Sequence, residues 1–246
     1  MLSPSWGMTL RSAGSMRFRW KEKNPLRDLV LAEIAGERAV VPIELVHSKI
    51  VYEADFPGDT ENVTGDGIVT DNPLLMPVVT VADCVPLYLF DSVSGAFGVV
   101  HSGWKGTGIV GEAVSRLKKR YGSEQGNICA AIGAHIRRCC YIVDEARAAF
   151  FMREFGSDCC TAVSDGETLC TGAAAAVSGW KNRGGKRYRL SLEQANLTVL
   201  ERCGIRSENI AVLDECTCCN SLFGSNRRET ACGNDSFTVQ AAFVKL

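Results

Sequence analysis

Strand-like and helix-like segments alternate along the whole of this chain, and that interleaving predicts one α/β domain spanning residues 1–246. Three observations carry the expectation. β-Branched apolar runs such as Pro77–Val81 are bounded by turn residues. Between them, apolar residues recur at helical spacing. No repeat, low-complexity linker or composition shift divides the 246 residues, a length that one large domain can fill.

Taken in order, the opening segment to about Lys23 is rich in Ser, Gly and Arg and lacks apolar periodicity. Residues Leu26 to Ile34 read as a short helix, and Val40 to Val51 as an extended segment carrying His47. Gly65-Asp-Gly67 and Asp71-Asn-Pro73 are turn chemistry. The run Pro77–Val81 reads as a buried strand, with Pro86 limiting sheet pairing just beyond it. Leu87 to Phe90 and Ala96 to His101 follow as strands. A helix then carries Val110, Ala113, Val114, Leu117 and Tyr121 on one face, ending in the solvated run Lys118-Lys-Arg120. Ile128 to Ile132 reads as a strand and Asp144 to Phe155 as a helix. Ser191-Leu-Glu-Gln194 has capping-box spacing and opens a helix that stops at Gly204. Ile210 to Leu213 and Phe237 to Val244 complete the strands, the last with an alternating pattern.

The chain has 27 basic and 28 acidic residues, so it carries no electrostatic footprint for nucleic acid or an anionic membrane. No apolar run approaches the roughly 18 residues of a membrane span. Met1 to Met8 shows no charged-then-apolar leader, so a cytoplasmic protein is expected. In that compartment its twelve cysteines are expected mostly as small buried hydrophobes rather than disulfides. The cluster Cys216-Thr-Cys-Cys219 is a candidate second metal site, although it lacks a second ligand pair at zinc-ribbon spacing.

Only three histidines are present, and two stand in the chain's most distinctive local sequences. His47 lies in Glu44-Leu-Val-His-Ser-Lys-Ile50 and His101 in Val99-Val-His-Ser-Gly-Trp-Lys-Gly106, with Cys84 between them in Thr80-Val-Ala-Asp-Cys-Val-Pro86. Imidazole and thiolate are ligands that zinc prefers, and three of them leave a fourth position open. No compact metal-finger spacing joins them, so only tertiary folding can bring them together. Singly, each has a plainer reading as a strand-edge histidine, a strand-terminal histidine or a buried thiol. A metal-free alternative makes Cys84 a nucleophile and His101 its base. Against it, Asp83 beside Cys84 is expected to raise the thiol pKa. Asp66 and Asp83 are candidate bases, or else residues that form turns or support the ligands. His135, in Gly133-Ala-His-Ile136, reads as structural. A trinuclear copper cluster needs more histidines than this chain supplies. The glycine-rich turn and helix start after His101 suit an anion such as phosphate.

Several of these segments together resemble the YfiH family, also labelled the multicopper polyphenol oxidase or laccase-domain family. They are Val81-Ala-Asp-Cys-Val-Pro86, Val100-His-Ser-Gly-Trp-Lys-Gly106, Ile132-Gly-Ala-His-Ile-Arg-Arg-Cys-Cys-Tyr141, Glu44-Leu-Val-His47, Asp214-Glu-Cys-Thr217 and Phe223-Gly-Ser-Asn-Arg-Arg228. The resemblance implies layered mixed sheets flanked by helices, and a metal site at His47, Cys84 and His101, with zinc as the ion and copper as the alternative. Cys84 and His101 are then catalytic through the metal. It implies phosphorolysis of adenosine, inosine, guanosine and methylthioadenosine, and deamination of adenosine. The partners implied are a purine nucleoside and phosphate. Arg11, in Thr9-Leu-Arg-Ser-Ala-Gly14, matches an arginine placed to hold phosphate. The chain departs from the family pattern at Lys105, where arginine is usual, and at Gly233-Asn234, where glycine-arginine is usual.

Overall fold

A computed structural model describes residues 3–164, 169–170, 185–231 and 235–246. Its strands are β1 (Ser5–Met8), β2 (Ala39–Pro42), β3 (Val51–Glu53), β4 (Gly67–Thr70), β5 (Leu75–Val81), β6 (Val85–Asp91) and β7 (Phe97–Ser102). They continue as β8 (Ile128–Ile132), β9 (Ile142–Asp144), β10 (Cys160–Ala162), β11 (Arg187–Leu190), β12 (Ile210–Val212) and β13 (Gln240–Lys245). Five α-helices are described: α1 (Pro25–Ala35), α2 (Ile109–Tyr121), α3 (Glu145–Phe155), α4 (Leu192–Arg202) and α5 (Asn226–Glu229). None is long and apolar enough to cross a membrane.

Three sheets result, two of them mixed and the smallest purely antiparallel, as expected of a layered α/β domain. The largest runs β12-β8-β6-β7-β4-β3, and a second runs β1-β13-β5-β2. The third, β10-β11-β9, is smaller. Strand β6 shows how the two large sheets stack. Val85, Leu87 and Leu89 point into a core shared with Ile109, Val110 and Val114 of α2 and with Leu200 of α4. Tyr88 and Phe90, on the opposite face, pack against Val79 and Val81 of β5. Met76 and Val78 of β5 point the other way, toward Leu31 and Ala35 of α1. The order is therefore helices, sheet, sheet, helix. Both faces of β5 and β6 are covered, which is why their sequences run apolar without alternating.

The helix signals are realised. Asn24 caps α1 through Arg27 N, with Pro25 in the first turn. Ser191 accepts from Gln194 N at the start of α4. Two strand expectations are corrected. Pro86 does not limit pairing, because it sits inside β6 opposite His101, one residue beyond the β8 ladder that starts at Leu87. Strand β13 begins only at Gln240, because Thr238 N and Val239 N donate to Glu229 and Ser15 side chains rather than to a ladder.

Gly98 marks a place where β4 and β7 leave no room for a side chain. A Cβ there would lie 2.4 Å from Ile68 O and 2.7 Å from Val69 Cγ1. Gly98→Ala is expected to lower stability by about 1–3 kcal/mol in urea denaturation, because backbone rather than a movable side chain must yield.

Candidate functional site

The site is organised around Asp66, whose side chain is fully buried between the loop after β2 and the end of β7. Oδ1 accepts from His47 N at 2.9 Å; Oδ2 accepts from Ser48 N at 2.5 Å and Ser48 Oγ at 2.7 Å. The loop curls round the carboxylate, and His47 adopts a φ of 58°, in the left-handed region. The extended segment expected over Val40 to Val51 is thus interrupted. His101 Nδ1 lies 2.9 Å from Asp66 Oδ1, leaving Nε2 as the nitrogen free to act as a ligand. Burial pushes the Asp66 carboxyl up, but hydrogen bonds from His101 and Ser48 outweigh it and hold the group below its ordinary value.

Cys84 reaches the same point from the tight turn between β5 and β6. The ligand atoms of His47, Cys84 and His101 all lie within 4.8 Å of one another. The imidazoles meet edge to face with centroids 4.9 Å apart. Gly103 lies against the group: a Cβ there would come 3.0 Å from Cys84 Sγ and 3.1 Å from His47 Cδ2. Burial pushes the Cys84 thiol up, but His101 and His47 more than compensate and bring it to about 7. Burial pushes His101 down, and Cys84 and Asp66 raise it to about 9. The raised thiol expected from neighbouring Asp83 is therefore corrected. With φ at 80°, Asp83 points its carboxylate away, accepting from Thr217 Oγ1 at 2.7 Å and Arg227 N at 2.6 Å. Two imidazoles and an acidified thiol on one wall of a cavity suit zinc as a donor set.

That cavity, about 670 Å³, is lined by aromatic and cationic side chains, among them Trp104, Lys105, Tyr141, Arg147, Arg227 and Phe237. The Arg147 guanidinium lies 4.4 Å over the Trp104 ring, and that of Arg227 lies 5.4 Å from the Tyr141 ring. Arg11 is not among the lining residues. Its backbone N bonds Leu222 O, and its side chain pairs with Glu229 at 3.4 Å. The start of α2 also stays outside, because a glycine-rich turn separates Lys105 from buried Ile109. Sequence reading missed Arg147, whose only signal is its position three residues after the Asp144 cap of α3. Arg227 lay within a noted segment without a role. His135 is buried, with Nδ1 at 2.8 Å from Gly133 O, as expected of a structural residue. Gly233-Asn234 lies outside the described residues.

The family model described as multi-copper polyphenol oxidoreductase laccase matches residues 23–241. The chain belongs to this family. Curated relatives of this laccase-like chain are named purine nucleoside phosphorylases. YlmD of Geobacillus stearothermophilus is 32% identical over 67% of this chain and 55% of its own length. YlmD of Bacillus subtilis is 34% identical over 67% of this chain and 54% of its own. The chain thus spans about half the length of these relatives. The crystal structure of Bacillus licheniformis YfiH superposes with a TM-score of 0.81 at 25% identity, over 99% of this chain and 92% of that one. Geobacillus stearothermophilus YlmD gives 0.77 at 26% identity, over 98% and 91%.

The Asp66 contacts generate a pH-dependent expectation. A carboxylate whose folded pKa lies below its unfolded value of about 3.9 contributes its stability above that value, and loses it as pH falls through the folded pKa. In metal-free protein, Asp66→Asn is expected to cost about 1–3 kcal/mol at neutral pH. Urea denaturation should show the gap closing below about pH 4. A gap independent of pH would mean that the charge contributes nothing.

Proposed function

We propose that this chain is a zinc-dependent purine nucleoside phosphorylase acting on adenosine, inosine, guanosine and methylthioadenosine, with adenosine deamination as a second activity of the same site. The observation that carries the reading is the convergence of His47, Cys84 and His101 on one wall of a cavity that also holds arginines and aromatic rings. The names of the relatives support it. His47, Cys84 and His101 would hold the ion, with copper as the alternative metal. Bound zinc supplies Lewis-acid polarisation to substrate or water.

The chain's own residues do the rest. Asp66 fixes the ring of His101 and the backbone of His47, so the donors are held in place before any substrate arrives. Trp104, Tyr141 and Phe237 offer flat apolar faces for a purine. Arg17 and Arg19 are tied to Glu22 and Glu44. Arg147 and Arg227 instead rest on aromatic rings, and their planar forks suit phosphate. In phosphorolysis a phosphate oxygen bonds to ribose C1′ as the C1′–N9 bond breaks, and its electron pair leaves with the base. The role expected of Arg11 passes to these two arginines.

A second reading, the metal-free thiol hydrolase, is favoured by the paired shifts of Cys84 and His101, which favour thiolate and imidazolium. It gives His47 no task. The two readings part on chelation. Verified metal removal is expected to abolish phosphate-dependent release of free purine, and zinc to restore it. Full activity in metal-free protein, with inactivation by alkylation of Cys84, would establish the hydrolase instead.

Arg147→Ala and Arg227→Ala are each expected to raise the KM for phosphate about tenfold to a hundredfold, the loss of one charge-assisted pair at roughly 1.5–3 kcal/mol. The KM for nucleoside should change far less. Arg11→Ala is expected to leave the phosphate KM near wild type. Steady-state kinetics with each substrate varied in turn checks all three.

A further inference from the structure

A second cluster of metal-binding side chains lies away from the first. Cys139 and Cys140 sit in the turn after β8, and Cys216 and Cys219 in the turn after β12, so the parallel pairing of these strands brings the two turns together. The second ligand pair that Cys216–Cys219 lacks in sequence is thus supplied by residues some 77 positions earlier. All four sulfurs lie within 4.8 Å of one another. We propose that Cys139, Cys140, Cys216 and Cys219 form a closed, structural four-thiolate zinc site.

The spacing sets the nuclearity. Thiolates about 2.3 Å from one zinc in a tetrahedron are separated by about 3.8 Å. Cys139 Sγ lies 3.8 Å from Cys140 Sγ and 3.7 Å from Cys219 Sγ, and Cys140 Sγ lies 3.2 Å from Cys219 Sγ. Sulfurs this close surround one ion; an iron–sulfur cluster distributes its cysteines over separate irons and spreads them wider. The backbone is arranged for a thiolate as well. Arg137 N donates to Cys216 Sγ at 3.4 Å, and Cys219 N and Asn220 N fold back onto Cys216 O in a tight turn. Cys140 and Cys216 are buried while Cys139 and Cys219 are exposed, giving an ion a path in at the protein surface. Cys170 approaches Cys140 Sγ at 2.9 Å but directs its own thiol to Cys139 O at 3.2 Å, so it is a neighbour rather than a ligand.

The clamp bears on the first site. Thr217, inside the Cys216–Cys219 turn, holds Asp83 beside Cys84, and Tyr141, next to Cys140, lines the cavity. An ion here fixes both turns against each other.

The test uses full-length protein purified anaerobically and loaded with zinc or cobalt(II). Wild type is expected to retain two zinc ions per chain, Cys84→Ala one, and the double variant Cys216→Ser with Cys219→Ser one. Cys170→Ser should keep both. Cobalt(II) in Cys84→Ala should give tetrahedral visible bands and the intense sulfur-to-cobalt absorption of four thiolates; the same spectrum sought in wild type guards against a variant that fails to fold. Zinc content unchanged in the Cys216→Ser, Cys219→Ser double variant, a cobalt spectrum with no more than a single thiolate, or a disulfide among these cysteines in the anaerobic protein would overturn the proposal. A single zinc in wild type that the double variant loses would uphold it and count against the first site.

Discussion

One buried carboxylate holds the candidate site together. Asp66 receives His101 Nδ1, His47 N and both donors of Ser48, so it joins two strand ends and a loop that sequence separates. A buried charge is costly unless it is paired and hydrogen-bonded, and here each oxygen has partners. Those partners include the backbone and ring of two candidate ligands. The left-handed φ of His47 follows from this arrangement, since both consecutive N–H groups must turn inward to one carboxylate.

The layered sheets make that arrangement rigid. Strands β5, β6 and β7 are buried on both faces, and the Cys84 turn and His101 sit at their adjoining ends. Ligands placed at strand ends inherit the stiffness of the sheet. The cationic and aromatic groups facing them come instead from helices α3 and α5, from the loops after β7 and β8, and from the segment before β13. Candidate donors Cys84 and His101 thus sit on the rigid layer, and His47 on the loop that Asp66 pins to it. The candidate substrate-binding groups lie on surroundings that can vary as the first set stays fixed.

The cysteines divide along the same physical lines. Of those described, Cys140, Cys159, Cys216 and Cys218 are buried and Cys160, Cys170 and Cys203 pack half-buried against the core, in line with the expectation that most serve as small hydrophobes. Cys84 and the cluster at Cys139–Cys140 and Cys216–Cys219 gather at turns, and at Cys216 a backbone N–H, that of Arg137, faces the sulfur. The family description names copper oxidation, yet the chain has three histidines and His135 is packed against Gly133 O. What the described residues supply is one mixed imidazole–thiolate group and one all-thiolate group.

Much of this was legible in the sequence. Apolar runs, helical spacing and caps determined the class and most elements, because those signals are local: Asn24 before Pro25, Ser191 before Gln194, and the buried stripe of α2. The candidate ligands stood out because histidine is so scarce in this chain. Tertiary structure alone decided the rest. It turned Asp83 away from Cys84 and made Asp66 the organising group. It moved Arg11 onto Glu229 and put Arg147 and Arg227 into the cavity. It also joined Cys139–Cys140 to Cys216–Cys219. Each of these depends on contacts between residues far apart in the chain, and no local periodicity records which distant turn a strand will meet.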